Sequence, residues 1–322
     1  MTEALLDVRD LKTHYEAFEG TTKAVDGVTF EIRKGEIFGL LGESGCGKST
    51  VALSILRLVP PPGNIVGGEI LFEGMDLLRL TEDEMRKIRG ERISFISQDP
   101  MAAINPVFKI GEQIADTLIV HRNLSKEKAH DLTVKKLEQV QLPNPRGTYG
   151  MYPHELSGGM RQRAMIAMAL ACDPTLLIAD EPTTALDVTI QAQILELLRN
   201  LCKEMNMTVL LITHNLGIVA EICDRLGVMY AGKLAEVGPV QSFFGMAMHP
   251  YTHGLLKAVP KATEETEQLY AIQGEVPDLI NPPGGCRFHP RCPHVMEECR
   301  RSEPPFFNVG PRHEASCFLY GR

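Results

Sequence analysis

The stretch Gly42-Glu-Ser-Gly-Cys-Gly-Lys48-Ser49 decides the fold of this chain. It matches the phosphate-binding loop pattern GxxxxGK[ST], in which backbone N–H groups curl around the phosphates of a nucleotide. The apolar run Ile37 to Leu41 precedes the loop, and the helical pattern TVALSILRLV follows it. A strand, a glycine-rich loop and a helix in this order favour phosphate binding over an ordinary turn. The stretch therefore predicts a nucleoside triphosphate site at the end of a buried strand.

The residues of this loop have separate expected roles. The glycines let the backbone approach the phosphates, and the helix start adds partial positive charge. Lys48 is expected to reach the β- and γ-phosphates, and the Ser49 hydroxyl to ligate Mg²⁺. The expected nucleotide-binding residues of the loop are Gly42, Glu43, Ser44, Gly45, Cys46, Gly47, Lys48, Ser49 and Thr50.

Beyond this loop, the chain alternates between strand and helix patterns. Leu176 to Ala179 and Val209 to Ile212 are short, continuously apolar runs, typical of buried parallel strands. Met160 to Ala171 and Ile190 to Glu204 have helical patterns. Strands that alternate with helices predict an α/β domain with a parallel sheet.

Two segments depart from this alternation. Near the start, LLDVRDLKTHY and AVDGVTFEI alternate apolar and polar residues, which predicts an antiparallel sheet with one face buried. Residues 99–174 are mostly helix-prone and are interpreted as a helical insertion. From about Gly245 onward the chain is rich in Pro, His and Cys with weak periodicity, which indicates a small appended module.

The run Leu176-Leu-Ile-Ala-Asp180-Glu181 ends a predicted strand in two carboxylates. In nucleotide-binding folds an acid at such a strand end holds Mg²⁺, so Asp180 is the expected metal-directed residue. Glu181 is expected to polarise the attacking water as a general base.

Composition narrows the class of protein further. The chain has 322 residues with 33 Lys and Arg against 41 Asp and Glu, for a net charge of -8. Because non-specific nucleic-acid binding depends on basic side chains, this acidic balance disfavours it. No apolar run approaches the roughly 20 residues that a membrane span needs.

The segment Leu156-Ser-Gly-Gly-Met-Arg-Gln162 resembles a signature of a known family. It resembles LSGGQ, the signature of ATP-binding-cassette (ABC) ATPases, with Met160 in place of the usual Gln. The resemblance implies a P-loop NTPase fold with a RecA-like parallel-sheet core, an antiparallel β subdomain and a helical subdomain. It also implies that Ser157, Gly158 and Gly159 bind the nucleotide of a partner cassette, with ATP and Mg²⁺ as cofactors.

Other landmarks of the ABC family follow in order. Gln98 in FISQDP resembles the Q-loop glutamine, which contacts Mg²⁺ or water. Ala185-Leu-Asp187 resembles the D-loop, and His214 the switch histidine that contacts the γ-phosphate. Tyr15 is the expected aromatic that stacks on adenine, with Phe18 as the alternative. The resemblance makes Glu181, His214 and Lys48 the catalytic set and Ser49, Gln98 and Asp180 the Mg²⁺ set.

Two further segments resemble one branch of the family. QDPMAAINPVFKIGEQI and HPYTHGLLKAVP resemble the ATPase subunits of oligopeptide and dipeptide importers, a group that includes nickel and some oligosaccharide importers. The resemblance implies residues 1–245 as the nucleotide-binding domain and 246–322 as the importer-type extension. It also implies a peripheral place at the cytoplasmic face of the membrane, with residues 101–110 against a membrane subunit.

The implied partners complete a transporter. They are a second ABC ATPase subunit, two transmembrane permease subunits and an extracytoplasmic solute-binding protein, with no nucleic acid. A heterodimer of cassettes is expected in the transporter, and a homodimer is the alternative for the isolated chain. Which solute is moved stays open.

Four cysteines are clustered in the tail: Cys286, Cys292, Cys299 and Cys317. Four thiolates can hold an iron–sulfur cluster, whereas structural zinc sites usually have closer cysteine pairs. The resemblance favours a [4Fe–4S] cluster, and the spacing leaves zinc or no metal open.

The sequence leaves three other functions open. One is a soluble ABC ATPase in DNA repair or translation, which the presence of a single cassette disfavours. Another is the ATPase subunit of an exporter. A third is a nucleic-acid-binding tail, suggested by a local basic cluster of Arg287, Arg291, Arg300 and Arg301.

Overall fold

The computed structural model describes residues 4–99, 103–183, 186–258 and 271–321. The chain folds into two compact units, Met1–Leu78 with Ile212–Arg322, and Arg79–Leu211. None of the helices in the described ranges is both long and apolar enough to cross a bilayer.

The first unit begins with an antiparallel sheet, as the alternating pattern predicts. Its strands pair in the order β2-β1-β4-β5, with Val8 opposite Phe30 and Ile70. Their side chains are buried, which makes one face of the sheet apolar. The bounds are β1 Ala4–Ala17, β2 Gly20–Arg33, β4 Gly63–Phe72 and β5 Met75–Asp76.

Strand β3 (Ile37–Leu41) is buried along its whole length and pairs in parallel with β9. Within this unit the strand order is β11-β12-β10-β9-β3. The tail strands β11 and β12 thus extend a sheet that contains β3, through the antiparallel pairing of β12 with β10. The bounds are β9 Arg225–Tyr230, β10 Lys233–Pro239, β11 Phe307–Gly310 and β12 His313–Ala315.

The helices of the first unit cover an aromatic core. Tyr251 is fully buried, and its ring lies 4.6 Å from that of Tyr230 and 5.4 Å from that of Phe288. The tail therefore shares a core with strand β9 and contains more regular structure than its weak periodicity predicts. The helices are α1 Lys48–Ile55, α8 Leu216–Ile222, α9 Val240–Met246, α10 Pro250–Lys257 and α11 Glu297–Arg301.

The second unit contains the buried strands β6 (Ile93–Ile96) and β7 (Leu176–Asp180), which pair in parallel. Strand β8 (Thr208–Thr213) leads the chain back to the first unit. The predicted strands at 176–179 and 209–212 are thus confirmed. These strands are continuously apolar because a strand of a parallel sheet is buried on both faces.

Four of the described helices lie within residues 99–174, the range interpreted from the sequence as a helical insertion. Helix α6 begins at Gly158, where the Ser157 hydroxyl accepts from Met160 N at 3.3 Å, and it ends at Ala169, two residues before the predicted end. The helices of the second unit are α2 Glu82–Ile88, α3 Ile110–Arg122, α4 Lys126–Gln139, α5 Pro145–Tyr149, α6 Gly158–Ala169 and α7 Val188–Met205.

Candidate nucleotide-binding site

The phosphate-binding loop connects the end of β3 to the start of α1, as its motif requires. Gly45 and Gly47 have φ angles of +79° and +103°, a region that favours glycine. A Cβ at Gly47 would collide with the carbonyl of Ala24, whereas the space beside Gly45 is open. The exposed side of the loop therefore lies at Gly45 and Ser44, where backbone N–H groups are accessible to an anion.

Lys48 is the buried cation of this loop. Its ammonium donates to Gly42 O at 2.8 Å and to Glu43 O at 3.0 Å, and lies 3.7 Å from Cys46 Sγ. The side chain is thus held across the loop by the loop's own carbonyls. Ser49, the next residue, is exposed. The loop therefore holds a buried cation next to an exposed serine at a helix start, and these groups suit phosphate with a hard metal ion.

Glu43 is held to the rest of the unit by two contacts. Its backbone N–H donates to Tyr251 Oη at 3.0 Å, and its carboxylate pairs with Arg291 through Nη1–Oε2 at 2.8 Å and Nη2–Oε1 at 3.2 Å. Sequence reasoning missed both partners because they are 208 and 248 residues away along the chain. Desolvation lowers the pKa of Arg291, but hydrogen bonds and charges from Glu43 and Tyr230 outweigh it, and the pKa is raised above its ordinary value.

The two adenine-stacking candidates differ in exposure. Phe18 is fully exposed at the β1–β2 turn. Tyr15 is half-buried, and its ring packs over the backbone of Gly63, where a Cβ would meet it at 2.5 Å. His214 is exposed directly after β8, followed by Asn215, whose Oδ1 accepts from Gly217 N at 2.9 Å and caps α8.

In the second unit, the carboxylates lie where the strand pattern predicts. Asp180 is the last residue of β7 and is 7% exposed. Glu181 has a φ of +46°, a left-handed conformation that is strained for a residue with a side chain. Its Oε2 accepts a hydrogen bond from Gln98 Nε2 at 3.1 Å. The structure thus brings together two predicted site residues that are far apart in the sequence.

The signature segment begins helix α6. Ser157 and Gly158 are exposed, so the helix start presents its N–H groups outward. Gln162, one turn later, is buried and donates through Nε2 to Pro182 O. This bond connects the signature helix to the residue after Glu181, and sequence reasoning assigned Gln162 no such role. Ala185 of the D-loop lies outside the described residues, while Asp187 caps α7 by accepting from Ile190 N at 2.9 Å.

The segment predicted to meet a membrane subunit is described from residue 103 onward. Gln113 shapes it, because its side chain accepts from Asn105 N at 2.9 Å and donates to Phe108 O at 3.0 Å. Val107 is 70% exposed and Phe108 is 52% exposed. A rigid loop that presents two apolar side chains is suited to contact an apolar partner.

The four tail cysteines line one small cavity together with histidine side chains. Burial raises the pKa of Cys286 to about 12 and that of Cys317 to about 11, so both are neutral thiols at neutral pH. Across the described ranges, however, no three His, Cys, Asp or Glu side chains are gathered so that they could hold a metal ion. The cysteines predicted as ligands therefore share a cavity without forming a ready single-ion site.

The basic cluster of the tail is not a basic surface. The side chains of Arg287 and Arg291 are each 5% exposed and pair with Asp26 and Glu43. Only Arg300 and Arg301 of the four arginines are exposed. Because two of the cations are buried and paired, the four arginines do not form one exposed basic cluster.

Comparison with protein families identifies two regions. The family described as ABC transporter matches residues 25–184, and the family described as oligopeptide/dipeptide transporter, C-terminal region, matches residues 235–299. The second region includes Tyr251, Cys286, Arg291 and Cys292.

Individual relatives match almost the whole chain. The oligopeptide transport ATP-binding protein OppD of Escherichia coli K12 is 48% identical over 316 residues, covering 98% of this chain and 93% of that protein. The dipeptide transport ATP-binding protein DppD of Bacillus subtilis is also 48% identical, over 98% of this chain and 95% of its own length.

Solved structures agree with the fold. A dimeric ABC transporter cassette in a post-hydrolysis state with ADP and phosphate superposes with a TM-score of 0.66 and 28% identity, covering 73% of this chain and 98% of its own. The cassette CbiO1 of Clostridium perfringens gives a TM-score of 0.64 at 26% identity, covering 76% of this chain and 91% of its own.

The loop geometry, the family matches and the relatives at 48% identity agree with one another. The chain is an ABC ATPase and belongs to the family of ATP-binding subunits of oligopeptide/dipeptide transporters.

Proposed function

We propose that this chain hydrolyses ATP to power the import of dipeptides or oligopeptides through a membrane transporter. The observation that carries the proposal is the region 235–299, which matches the C-terminal region of oligopeptide/dipeptide transporters and follows an ABC cassette in the same chain. The names of the relatives at 48% identity support the same substrate class.

Each candidate site residue has its own role in this proposal. Lys48 and the loop N–H groups bind the β- and γ-phosphates, and Tyr15 stacks on adenine. Ser49, Gln98 and Asp180 offer hydroxyl, amide and carboxylate oxygens, the donor set that Mg²⁺ prefers. When bound, Mg²⁺ neutralises charge on the phosphates. Glu181 takes a proton from the attacking water, and His214 donates to the γ-phosphate.

A second cassette completes each ATP site. Ser157 and Gly158 are exposed at the start of helix α6 and Gly159 is half-buried beside them, which suits contact with a nucleotide held by another cassette. The solved cassette with ADP and phosphate is a dimer. We therefore propose head-to-tail pairing, with a related subunit in the transporter and a second copy when the chain is alone.

The remaining partners are two permease subunits and a solute-binding protein. Val107 and Phe108, exposed on the loop shaped by Gln113, are the proposed contacts with a permease. This contact would hold the chain at the cytoplasmic face of the membrane. The proposed domain limits are 1–245 for the cassette, with the helical part at 99–174, and 246–322 for the extension.

The direct test is transport by the assembled complex. Vesicles that contain this chain, its partner subunits and the binding protein should accumulate a labelled peptide only when ATP is supplied. The Lys48→Ala variant is the matched negative control. Uptake of nickel or an oligosaccharide without peptide uptake would contradict the proposed substrate, and failure to assemble with permeases would contradict the transport function.

We also propose that the tail cysteines hold a [4Fe–4S] cluster. The support is that Cys286, Cys292, Cys299 and Cys317 line one cavity, in the number that such a cluster needs. A cluster is wider than one zinc ion, so its ligands stand further apart than those of a zinc site. When bound, it would supply a redox-active crosslink between segments of the tail.

The test of the cluster is metal and sulfide content in protein purified without oxygen. About four irons per chain with matching sulfide are expected, as in cysteine-ligated clusters. The Cys292→Ser variant should lose the iron, and Cys202→Ala, a buried thiol on α7, should retain it. Zinc in place of iron, or no metal, would contradict the proposal.

A further inference from the structure

A seven-residue segment of the tail connects the cysteine cavity to the phosphate-binding loop. In Cys286-Arg-Phe-His-Pro-Arg-Cys292 the two outer residues line the cavity. Arg287 donates to Ala231 O and pairs with Asp26, whereas Arg291 pairs with Glu43. The segment is therefore anchored twice on the cassette, once at the loop itself.

The guanidinium of Arg291 has hydrogen-bond partners besides Glu43 that hold it in place. Its Nε donates to Gln273 O at 3.0 Å and its Nη2 to Ile272 O at 3.2 Å. Nη1 contacts Tyr230 Oη at 3.3 Å, and the guanidinium carbon lies 5.7 Å from the centre of the Tyr230 ring. Because a guanidinium is planar, these contacts orient its remaining donors toward the carboxylate of Glu43.

The contact with Glu43 leads directly to Lys48. The carbonyl of Glu43 accepts from Lys48 Nζ at 3.0 Å, so the residue that Arg291 holds also holds the loop cation. Tyr251 Oη fixes the N–H of the same residue at 3.0 Å. Both main-chain groups of Glu43 and its side chain are thus constrained, two of the three by residues after position 245.

We propose that Arg291 is a positioning residue for ATP binding, which sets the geometry of the phosphate-binding loop through the carboxylate of Glu43. The tail is then part of the nucleotide site. An arginine that only anchored the tail would leave ATP affinity unchanged. The inference rests on the proposed ATP-binding function.

The test measures ATP affinity and steady-state hydrolysis, the first in the full chain and the second in the assembled transporter. Arg291→Gln should raise the KM and the dissociation constant for ATP by roughly tenfold, a typical coupling for a hydrogen-bonded charge pair. The kcat at saturating ATP should change much less, because the lost contact supports binding of ground state and transition state alike. Arg301→Gln is the control, since its side chain is 75% exposed and pairs with Glu297 one helical turn away.

A double-mutant cycle separates positioning from anchoring. Glu43→Gln changes no residue of the tail and should reproduce the loss of ATP affinity, so it decides the matter if Arg291→Gln does not fold. If Arg291 acts through Glu43, the double variant is no weaker than either single variant. The inference would be overturned if the losses of ATP affinity in the two single variants multiplied in the double variant. It would also be overturned if both single variants kept the ATP affinity of the wild type. A wild-type chain that fails to bind ATP would instead refute the proposed function.

Discussion

Gln98 and Glu181 are joined by a hydrogen bond from Nε2 to Oε2 of 3.1 Å, although 83 residues separate them. Glu181 is in the left-handed backbone region directly after the buried strand β7. The side chain of the proposed general base is therefore oriented both by a strained turn and by the Q-loop glutamine. A movement of Gln98 would remove this hydrogen bond from the carboxylate, which makes the pair a sensitive point of the second unit.

Replacing Glu181 tests its role as the base. Glu181→Gln should slow ATP hydrolysis by roughly 10²–10⁴-fold, because the amide cannot accept the proton of the attacking water. ATP binding should persist, since the loop around Lys48 is unchanged. Single-turnover hydrolysis and equilibrium ATP binding are the two measurements, and near-normal turnover would exclude Glu181 as the base.

Replacing Gln98 tests the hydrogen bond. Gln98→Ala should lower kcat by about tenfold, because a misoriented base loses part of its contribution. In the Glu181→Gln background the same change should have little further effect on kcat. Independent, multiplying losses would mean that Gln98 acts on another part of the reaction, such as the metal ion.

Two glycines of the phosphate-binding loop form a matched pair. Gly47→Ala combines a φ of +103° with a collision against the Ala24 carbonyl and should lower the free energy of unfolding by about 2–4 kcal/mol. Gly45→Ala, with a φ of +79° and open space beside it, should cost only about 1 kcal/mol of backbone strain. Denaturant unfolding without nucleotide measures both, and equal losses would mean that the collision is relieved.

Glu236 joins the tail to strand β10 from a fully buried position. Its carboxylate accepts from Met248 N at 2.9 Å, from His249 N at 2.8 Å and contacts His313 Nε2 at 2.7 Å. Glu236→Gln should lower the free energy of unfolding by about 2–4 kcal/mol, because one acceptor becomes a donor that faces these groups. Glu314→Gln, an exposed neighbour on β12, should change stability little in the same denaturant titration.

Titration of His249 should make the free energy of unfolding depend on pH. Burial lowers its pKa from 6.5 to about 4, against a smaller opposing effect of Glu236. Between those pH values the unfolded chain binds the proton more readily than the folded chain. The contribution of His249 to the free energy of unfolding is therefore complete above pH 6.5 and is lost as the pH falls. The loss by pH 4 should approach about 3 kcal/mol.

The control for this prediction is His249→Asn. The Nδ1 of His249 accepts from Tyr251 N at 3.1 Å, and an asparagine oxygen can cap helix α10 in the same way without titrating. The difference in stability between the two proteins should therefore change with pH only in this window. A constant difference between pH 4 and 6.5 would show that His249 does not titrate as expected.

Local sequence patterns predicted much of the fold because their physical causes are local. Apolar runs such as Leu176 to Ala179 become strands buried on both faces, and Ser157 and Asp187 cap helices through hydrogen bonds within three residues. The loop from Gly42 to Ser49 needs only a strand before it and a helix after it. The tail was the least predictable part, since short helices and strands there depend on packing against β9 and β10 rather than on periodicity.

By itself, the sequence determined the family, the phosphate-binding loop and several of the strands and helices of the cassette, because each of these depends on contiguous residues. Only the tertiary structure decided which distant side chains support the site. It pairs Arg291 with Glu43, Gln98 with Glu181 and Gln162 with Pro182, and it buries two tail arginines that a count of charges would place on the surface. These contacts join residues 20 to 248 positions apart, so their formation depends on the fold that brings the backbone segments together and not on any local propensity.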